Sequence, residues 1–261
     1  MKKSLLLLSL LLLPLMGIHA ASVLKDGENL RYTLYYNWRF VWIKAGTATL
    51  STARTIHDGA DAYRCSLVAA TAKSADAIFR LRDTLTTLVT PAVEPIAFCK
   101  HCEEGKDIIC EEATFGRKDG RYTAHQTKTW PDGRVKNYDF IGSFPVYDMI
   151  SVLQHARTLD TSTLRPGQRL TFPMVTGKKV ENQDLIYLGR ETLTTDDGRN
   201  WNVQTYSILQ KKKTGKTAAD GTPQLEESEL IRFYCTDDAR HLPLQLDLFL
   251  KIGVAKAKIQ F

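Results

Sequence analysis

The chain has 261 residues, 25% of them charged, and 35 Lys and Arg against 29 Asp and Glu give a formal charge of +6. That length suits one large β domain or two small ones, with a core that needs no disulfides. The basic residues are dispersed, apart from Lys211, Lys212, Lys213 and Lys216, so the basic stripe with interleaved aromatics of a nucleic-acid footprint is missing and no nucleic acid is expected as a partner.

Residues 1–20 read as a secretory signal peptide. Lys2 and Lys3 open it, Leu5 to Leu13 is almost unbroken aliphatic sequence, and small residues follow at Ala20, Ala21 and Ser22. The apolar run falls short of the roughly 20 residues that span a bilayer, and no later segment reaches that length. No cysteine near Ala20 could accept a lipid anchor. The expected mature chain, 21–261, is therefore exported to the periplasm or secreted, is not membrane-spanning, and carries the charge +6 − 2 = +4 once Lys2 and Lys3 are lost.

The dominant period beyond Ala21 is two, which predicts strands. Tyr32, Leu34, Tyr36, Trp38, Phe40 and Trp42 alternate with Arg31, Thr33, Tyr35, Asn37 and Arg39, as in one long strand with an apolar and a wetter face. Further strands are predicted near 61–72, 84–90, 95–103, 107–116, 120–129, 134–140, 168–175, 183–194, 200–211 and 226–236. Turn signals separate many of them, including Asp58-Gly59, Asp119-Gly120 and Asp197-Gly198. Lys211 to Gln224 is polar and reads as a mobile hairpin tip. Leu242 to Ile252 again alternates, until Gly253 resets the phase at a bulge or sharp bend.

Lys44-Ala45-Gly46-Thr47-Ala48 echoes Lys251-Ile252-Gly253-Val254-Ala255, which suggests that the first and last strand pairs bend alike and lie side by side. One helix interrupts the pattern near 146–157. Pro145 suits its first position, Val146, Met149, Ile150 and Leu153 form its apolar stripe, and Arg157 suits its C-terminal end. It reads either as a cover packed on the sheet or as a lid over a cavity. A second helical turn is predicted at Ser74–Leu81. The fold class is thus mainly β: one domain over 21–261, a large curved antiparallel sheet or half-barrel with one covering α-helix.

Five cysteines remain: Cys65, Cys99, Cys102, Cys110 and Cys235. Cys99-Lys100-His101-Cys102 admits three readings: a redox pair, a zinc site completed by His101 or Cys110, or a structural hairpin. A hairpin tip at Glu104-Gly105 would set Cys99 opposite Cys110 and allow a cross-strand disulfide, the favoured reading. Cys65 and Cys235 read as small core residues.

No phosphate-binding loop, His-Glu-x-x-His or Gly-x-Ser-x-Gly motif is present. His57, His101, His125, His155 and His241 lack metal-ligand spacing, so neither a cofactor nor a metal is expected, and His155 reads as a solvated or capping residue. Asp237-Asp238 fits turn chemistry, and Glu227 and Glu229 fit the outward face of a strand.

Several segments in order resemble an uncharacterised family of exported bacterial proteins, domain of unknown function 3108 (DUF3108). They are Gly27-Glu28-Asn29-Leu30-Arg31-Tyr32 followed by Ala45-Gly46-Thr47-Ala48; Phe79-Arg80-Leu81-Arg82-Asp83 leading to Glu94-Pro95-Ile96-Ala97-Phe98; Tyr147-Asp148-Met149-Ile150-Ser151; and Leu242-Pro243-Leu244 through Ile252-Gly253-Val254-Ala255. The resemblance covers most of the mature chain and implies a periplasmic β-rich fold with no assigned activity. The Cys99 to Cys110 cluster departs from the family pattern. The architecture is also similar to the half-barrels that carry lipoproteins across the periplasm, an analogy of fold alone.

These readings converge on a non-catalytic protein. The first expectation is an apolar ligand or lipid in a cavity lined by Trp38, Phe40, Trp42, Leu246 and Leu248 and covered by Met149 and Leu153 of the helix. The alternative is an interaction module whose threonine- and arginine-rich exposed face contacts an envelope protein or polysaccharide. A surface-polymer hydrolase would need two convergent carboxylates in a cleft.

Overall fold

A computed structural model describes residues 23–38, 41–77, 79–105, 107–177, 179–217, 223–250 and 253–261. The signal segment and Phe40 lie outside these residues, as does the side chain of Trp38. The order is β1 (Glu28–Trp38), β2 (Val41–His57), β3 (Ala60–Thr71), β4 (Leu81–Val89), β5 (Pro95–Glu104), β6 (Asp107–Lys118), β7 (Arg121–Thr129), β8 (Val135–Gly142), α1 (Met149–Arg157), β9 (Arg169–Val175), β10 (Val180–Thr194), β11 (Asn200–Thr217), β12 (Pro223–Thr236), β13 (Pro243–Phe249) and β14 (Val254–Gln260).

All fourteen strands join one antiparallel sheet in the order β8-β7-β6-β5-β4-β3-β2-β1-β14-β13-β12-β11-β10-β9. Apart from β8 and β9, each strand pairs with its chain neighbours, and the first strand pairs with the last, Arg31 opposite Gln260 and Tyr36 opposite Ala255. The expected meeting of the first and last strand pairs is thus realised. The sheet is not closed into a barrel: its edges are β8 and β9, and the chain between them carries α1.

Alternation selects the inner face. Leu30 and Tyr32 on β1, Leu50 on β2, Cys65 on β3, Leu85 on β4 and Phe98 on β5 are all buried. Tight turns set the register. Asp58-Gly59 and Asp119-Gly120 both adopt positive φ at the two central positions, the geometry that matches strand twist in a two-residue hairpin.

Four expectations are corrected. The apolar row Tyr32 to Trp42 is not one strand: β1 ends at Trp38 and β2 begins at Val41. Within β2 the register slips, with Leu34 opposite Gly46 but Tyr35 opposite Lys44, so Ala45 is an extra residue that reverses the alternation. Likewise, Gly253 (φ 77°) lies in the turn that separates two antiparallel strands, β13 and β14. Gly46 and Gly253 therefore do different jobs despite their similar surroundings in sequence. Much of the supposed tip at Lys211–Gln224 is strand, because β11 runs to Thr217 and β12 starts at Pro223. Finally, residues 73–77 form turns rather than a helix.

The helix begins at Met149, not Val146. Asp148 is extended (φ −110°, ψ 179°), and its Oδ1 accepts the backbone N–H groups of Ile150 and Ser151 at 2.8 and 2.9 Å. Ser151 Oγ in turn accepts the Asp148 N–H at 2.8 Å, closing a capping box. Just ahead of the cap, Tyr147 pairs in parallel with Met174 on β9. Ile150, Val152, Leu153 and Ala156 are buried, and α1 packs against β3 and β4. The helix is thus enclosed by the sheet.

Candidate functional site

The interior is anchored at the C-terminal end of α1. Arg157 is fully buried and its guanidinium faces Glu28 of β1, with N–O distances of 2.9 and 3.2 Å. It also donates to Gln154 Oε1 and to the carbonyls of Val23, Arg240 and His241. Every face of the guanidinium is satisfied, as a buried charge requires. At the other end Thr87 of β4 donates to Asp148 Oδ2 at 2.7 Å. Burial still holds the Asp148 carboxyl above its ordinary range, against the hydrogen bonds it accepts.

Of the seven residues expected to line a cavity, the five whose side chains are described are scattered. Leu153 is buried, and Leu246 packs half-buried against the apolar core. Leu248 is half-buried on the same face of β13, opposite Ala255. Met149 is 37% exposed. Trp42 stands on the outer face, opposite Asn37, 45% exposed and with Lys256 Nζ 5.2 Å from its ring centroid. The slip at Ala45 and the break after Trp38 put it there. Phe40 and the Trp38 side chain lie outside the described residues.

The β5–β6 hairpin carries the chemistry. Its tip comes one residue later than expected: Glu104 opposes Asp107, so His101 opposes Cys110 and Cys99 opposes Glu112. Cys99 and Cys110 are therefore diagonal neighbours rather than a facing pair, and both are free thiols. Diagonal positions are about 7–8 Å apart, beyond the usual Cα separation in a disulfide. His101 Nδ1 lies 3.2 Å from Cys110 Sγ on the exposed face. Desolvation, then the neighbouring Glu112 and Cys110, raise the Cys99 thiol's pKa, which disfavours the nucleophilic thiolate.

Cys99 and Cys102 point to opposite faces, one exposed and the other fully buried. Three residues along a strand reverse the direction of a side chain, so they can act neither as a redox pair nor as joint zinc ligands. On the inner face Cys102 opposes Asp83 of β4, with Glu104 two residues further along. Their ligand atoms, one sulfur and two carboxylate oxygens, lie within 4.8 Å of one another. Asp83 Oδ1 is sealed from water without a hydrogen-bond partner. Burial raises the pKa of both Asp83 and Cys102.

On the outer face a groove of about 330 Å³ crosses four strands, lined by Arg64 of β3, Thr86 and Leu88 of β4, Ala97 and Cys99 of β5, and Glu112 and Thr114 of β6. These alternate with the buried Cys65, Thr87, Phe98 and Ala113 of the inner face.

Other candidates are held in structural contacts. Cys65 and Cys235 are fully buried, as expected. Asp238 accepts the backbone N–H groups of Arg240 and His241 in its turn, while Asp237 binds Arg190 and Gln204. Glu227 pairs with Arg169, and Glu229 with Arg232. His155 is neither solvated nor a cap. Its ring stacks on Tyr147 with centroids 4.8 Å apart, and burial holds its pKa below the ordinary value of 6.5.

These features define a class: barrel-like, open antiparallel sheet proteins that enclose a single helix. A solved structure described as a beta-barrel-like protein of domain of unknown function DUF1849, from Brucella abortus, is similar, with a TM-score of 0.52 and 9% identity over 91% of this chain and 97% of that one. At that identity the likeness is one of fold alone. The chain itself belongs to the family described as Protein of unknown function (DUF3108), which matches residues 31–260. No curated protein matches it. Among the described residues, no helix is long and apolar enough to cross a membrane.

Proposed function

We propose that this protein is a non-catalytic, exported interaction module that holds an extended segment of a partner envelope protein in the outer-face groove. The groove carries the reading. It sets Arg64 of β3 at one end and Glu112 and Thr114 of β6 at the other, with Thr86, Leu88, Ala97 and Cys99 between. Three strand spacings of about 4.8 Å separate β3 from β6, the length of about four extended residues. Opposed charges flanking a small apolar floor suit a peptide better than an acyl chain. A polysaccharide would call for aromatic platforms, and the groove lining contains only Phe98, which is buried.

The enclosed, buried α1 supports scaffolding over carriage of a lipid inside the sheet. Photo-cross-linking groups placed at Thr86 and Thr114 in intact cells should capture the same single protein, at a defined stoichiometry. Capture should disappear in Ala97→Arg and should not occur from Thr192, on the distant strand β10. Failure to capture a common protein from the two groove positions overturns the reading. So does an apolar ligand retained in native mass spectra of protein isolated from its envelope, which would return the function to carriage.

A further inference from the structure

The inner end of the β4–β5 ladder holds a donor set that the outer-face groove does not use. Asp83, Cys102 and Glu104 converge from two strands, and their three ligand atoms lie within 4.8 Å of one another before any cation draws them together. The register enforces this convergence. Asp83 faces Cys102 across the ladder, and Glu104 follows Cys102 by two residues, hence on the same face.

The cluster's electrostatics are unfinished. Two carboxyl groups and a thiol meet where Cys102 is fully buried; the Cys102 thiol hydrogen-bonds the Asp83 carboxyl, and Asp83 Oδ1 is sealed without a partner. A buried acceptor left unpaired carries its full desolvation cost. Lys100, one inner-face position away, favours the charged forms of Asp83 and Cys102 but forms no ion pair with either. Elsewhere on the inner face the corresponding need is met: Glu111 has Lys128 Nζ at 2.7 Å, and Glu28 has Arg157.

We propose that Asp83, Cys102 and Glu104 form a binding site for a divalent, thiophilic cation, best matched by Zn²⁺. One thiolate with two carboxylates is a mixed set that zinc accepts, whereas magnesium and calcium prefer oxygen alone. The protein supplies three ligands. The fourth position falls to water, which reaches the site past the half-exposed Glu104 and the exposed Gly105 at the hairpin tip. On binding, Cys102 loses its thiol proton to the buffer and a metal–sulfur bond forms, with no change of oxidation state. Three anionic ligands and the cation leave a net charge of −1 beside Lys100. The site faces inward and stands independently of the groove.

The test uses the purified full chain, kept reduced and stripped with a chelator. Zn²⁺ is titrated calorimetrically in two buffers of different ionisation enthalpy, and Co²⁺ is followed by its thiolate-to-metal charge-transfer absorption. The expected result is one ion per chain, with proton release. Asp83→Asn and Glu104→Gln, both close to isosteric, should each weaken binding roughly 100-fold, at the upper end of the effect of losing a group that merely supports a ligand. Cys102→Ser should abolish the charge-transfer band.

The combined Cys99→Ser, His101→Ala, Cys110→Ser variant should bind like the parent chain. Loss of binding in that variant, with Asp83→Asn unaffected, would move the ion to the exposed face and overturn the proposal. So would absence of binding to the parent chain at micromolar Zn²⁺. Thermal melts of each variant separate loss of the site from loss of the fold.

Discussion

Two polar clusters occupy the inner surface, one buried and one half-buried, and they differ in completeness. Around Arg157, one cation meets the Glu28 carboxylate, a side-chain amide oxygen and three backbone carbonyls. Around Cys102, two carboxylates and a thiol meet with no cation in contact. The first cluster ties α1 to β1 and to the turn before β13, across more than a hundred residues of chain. The second ties together only adjoining strands, which hydrogen bonds already hold. A satisfied charge far from its partner in sequence builds the fold, whereas an unsatisfied one in a rigid ladder is free to serve a ligand.

The contrast is broken most forcefully at Arg157. Arg157→Met leaves the buried Glu28 with only the largely exposed Arg240, at 3.5 Å, and should cost up to about 3–5 kcal/mol, the effect of removing one member of a buried pair. A urea-denaturation midpoint reads the loss. Adding Glu28→Gln should recover part of it, because the stranded charge is then gone. If Arg157→Met alone is as stable as the parent chain, the cluster is not what holds the helix.

A smaller effect lies at the helix start. Thr87→Val removes the hydroxyl that donates to Asp148 Oδ2 inside the core. It should cost about 1–3 kcal/mol, the price of an unpaired buried acceptor. A loss confined to a few tenths in the same urea titration would show that the cap is satisfied without β4.

The smallest expected effect depends on pH. Burial holds the His155 pKa below 6.5, so the unfolded chain takes up the proton first as pH falls. Its contribution to stability is full above 6.5 and is lost progressively as pH drops from 6.5 towards the lower folded value. His155→Phe, which keeps a ring against Tyr147, should flatten that part of the stability profile. An unchanged slope would assign it to other groups.

Much of this architecture is legible in the sequence because strands alternate strictly. The predicted segments 95–103, 107–116 and 120–129 differ from β5, β6 and β7 by at most two residues at either end. What alternation cannot supply is where a strand stops to reverse. Trp38 and Trp42 share a parity in sequence, yet a chain reversal and one extra residue at Ala45 put Trp42 on the outer face. A tip displaced by one residue moved every partner on β5 by two and separated Cys99 from Cys110.

The opposite orientations of Cys99 and Cys102 were readable from their spacing alone. The association of Asp83 with Cys102 was not, since it depends on the register across the β4–β5 turn. In the sequence Arg157 reads only as a residue suited to a helix end. Its burial follows from Glu28, which stands 129 positions earlier and bears no sequence mark of the pairing.

The pairing of β1 with β14 places the first and last strands side by side in the middle of the sheet, while the sheet's borders belong to consecutive strands. Strands β9 to β14 and β1 to β8 thus run in unbroken spatial order across the sheet. Joining Gln260 to Glu28 through a short link and opening the chain at 158–167 would leave every ladder between sequence neighbours. In the natural order, by contrast, the central seam can zip only after the final strand has been synthesised, and the entropy of closing that long loop falls on the last step of assembly.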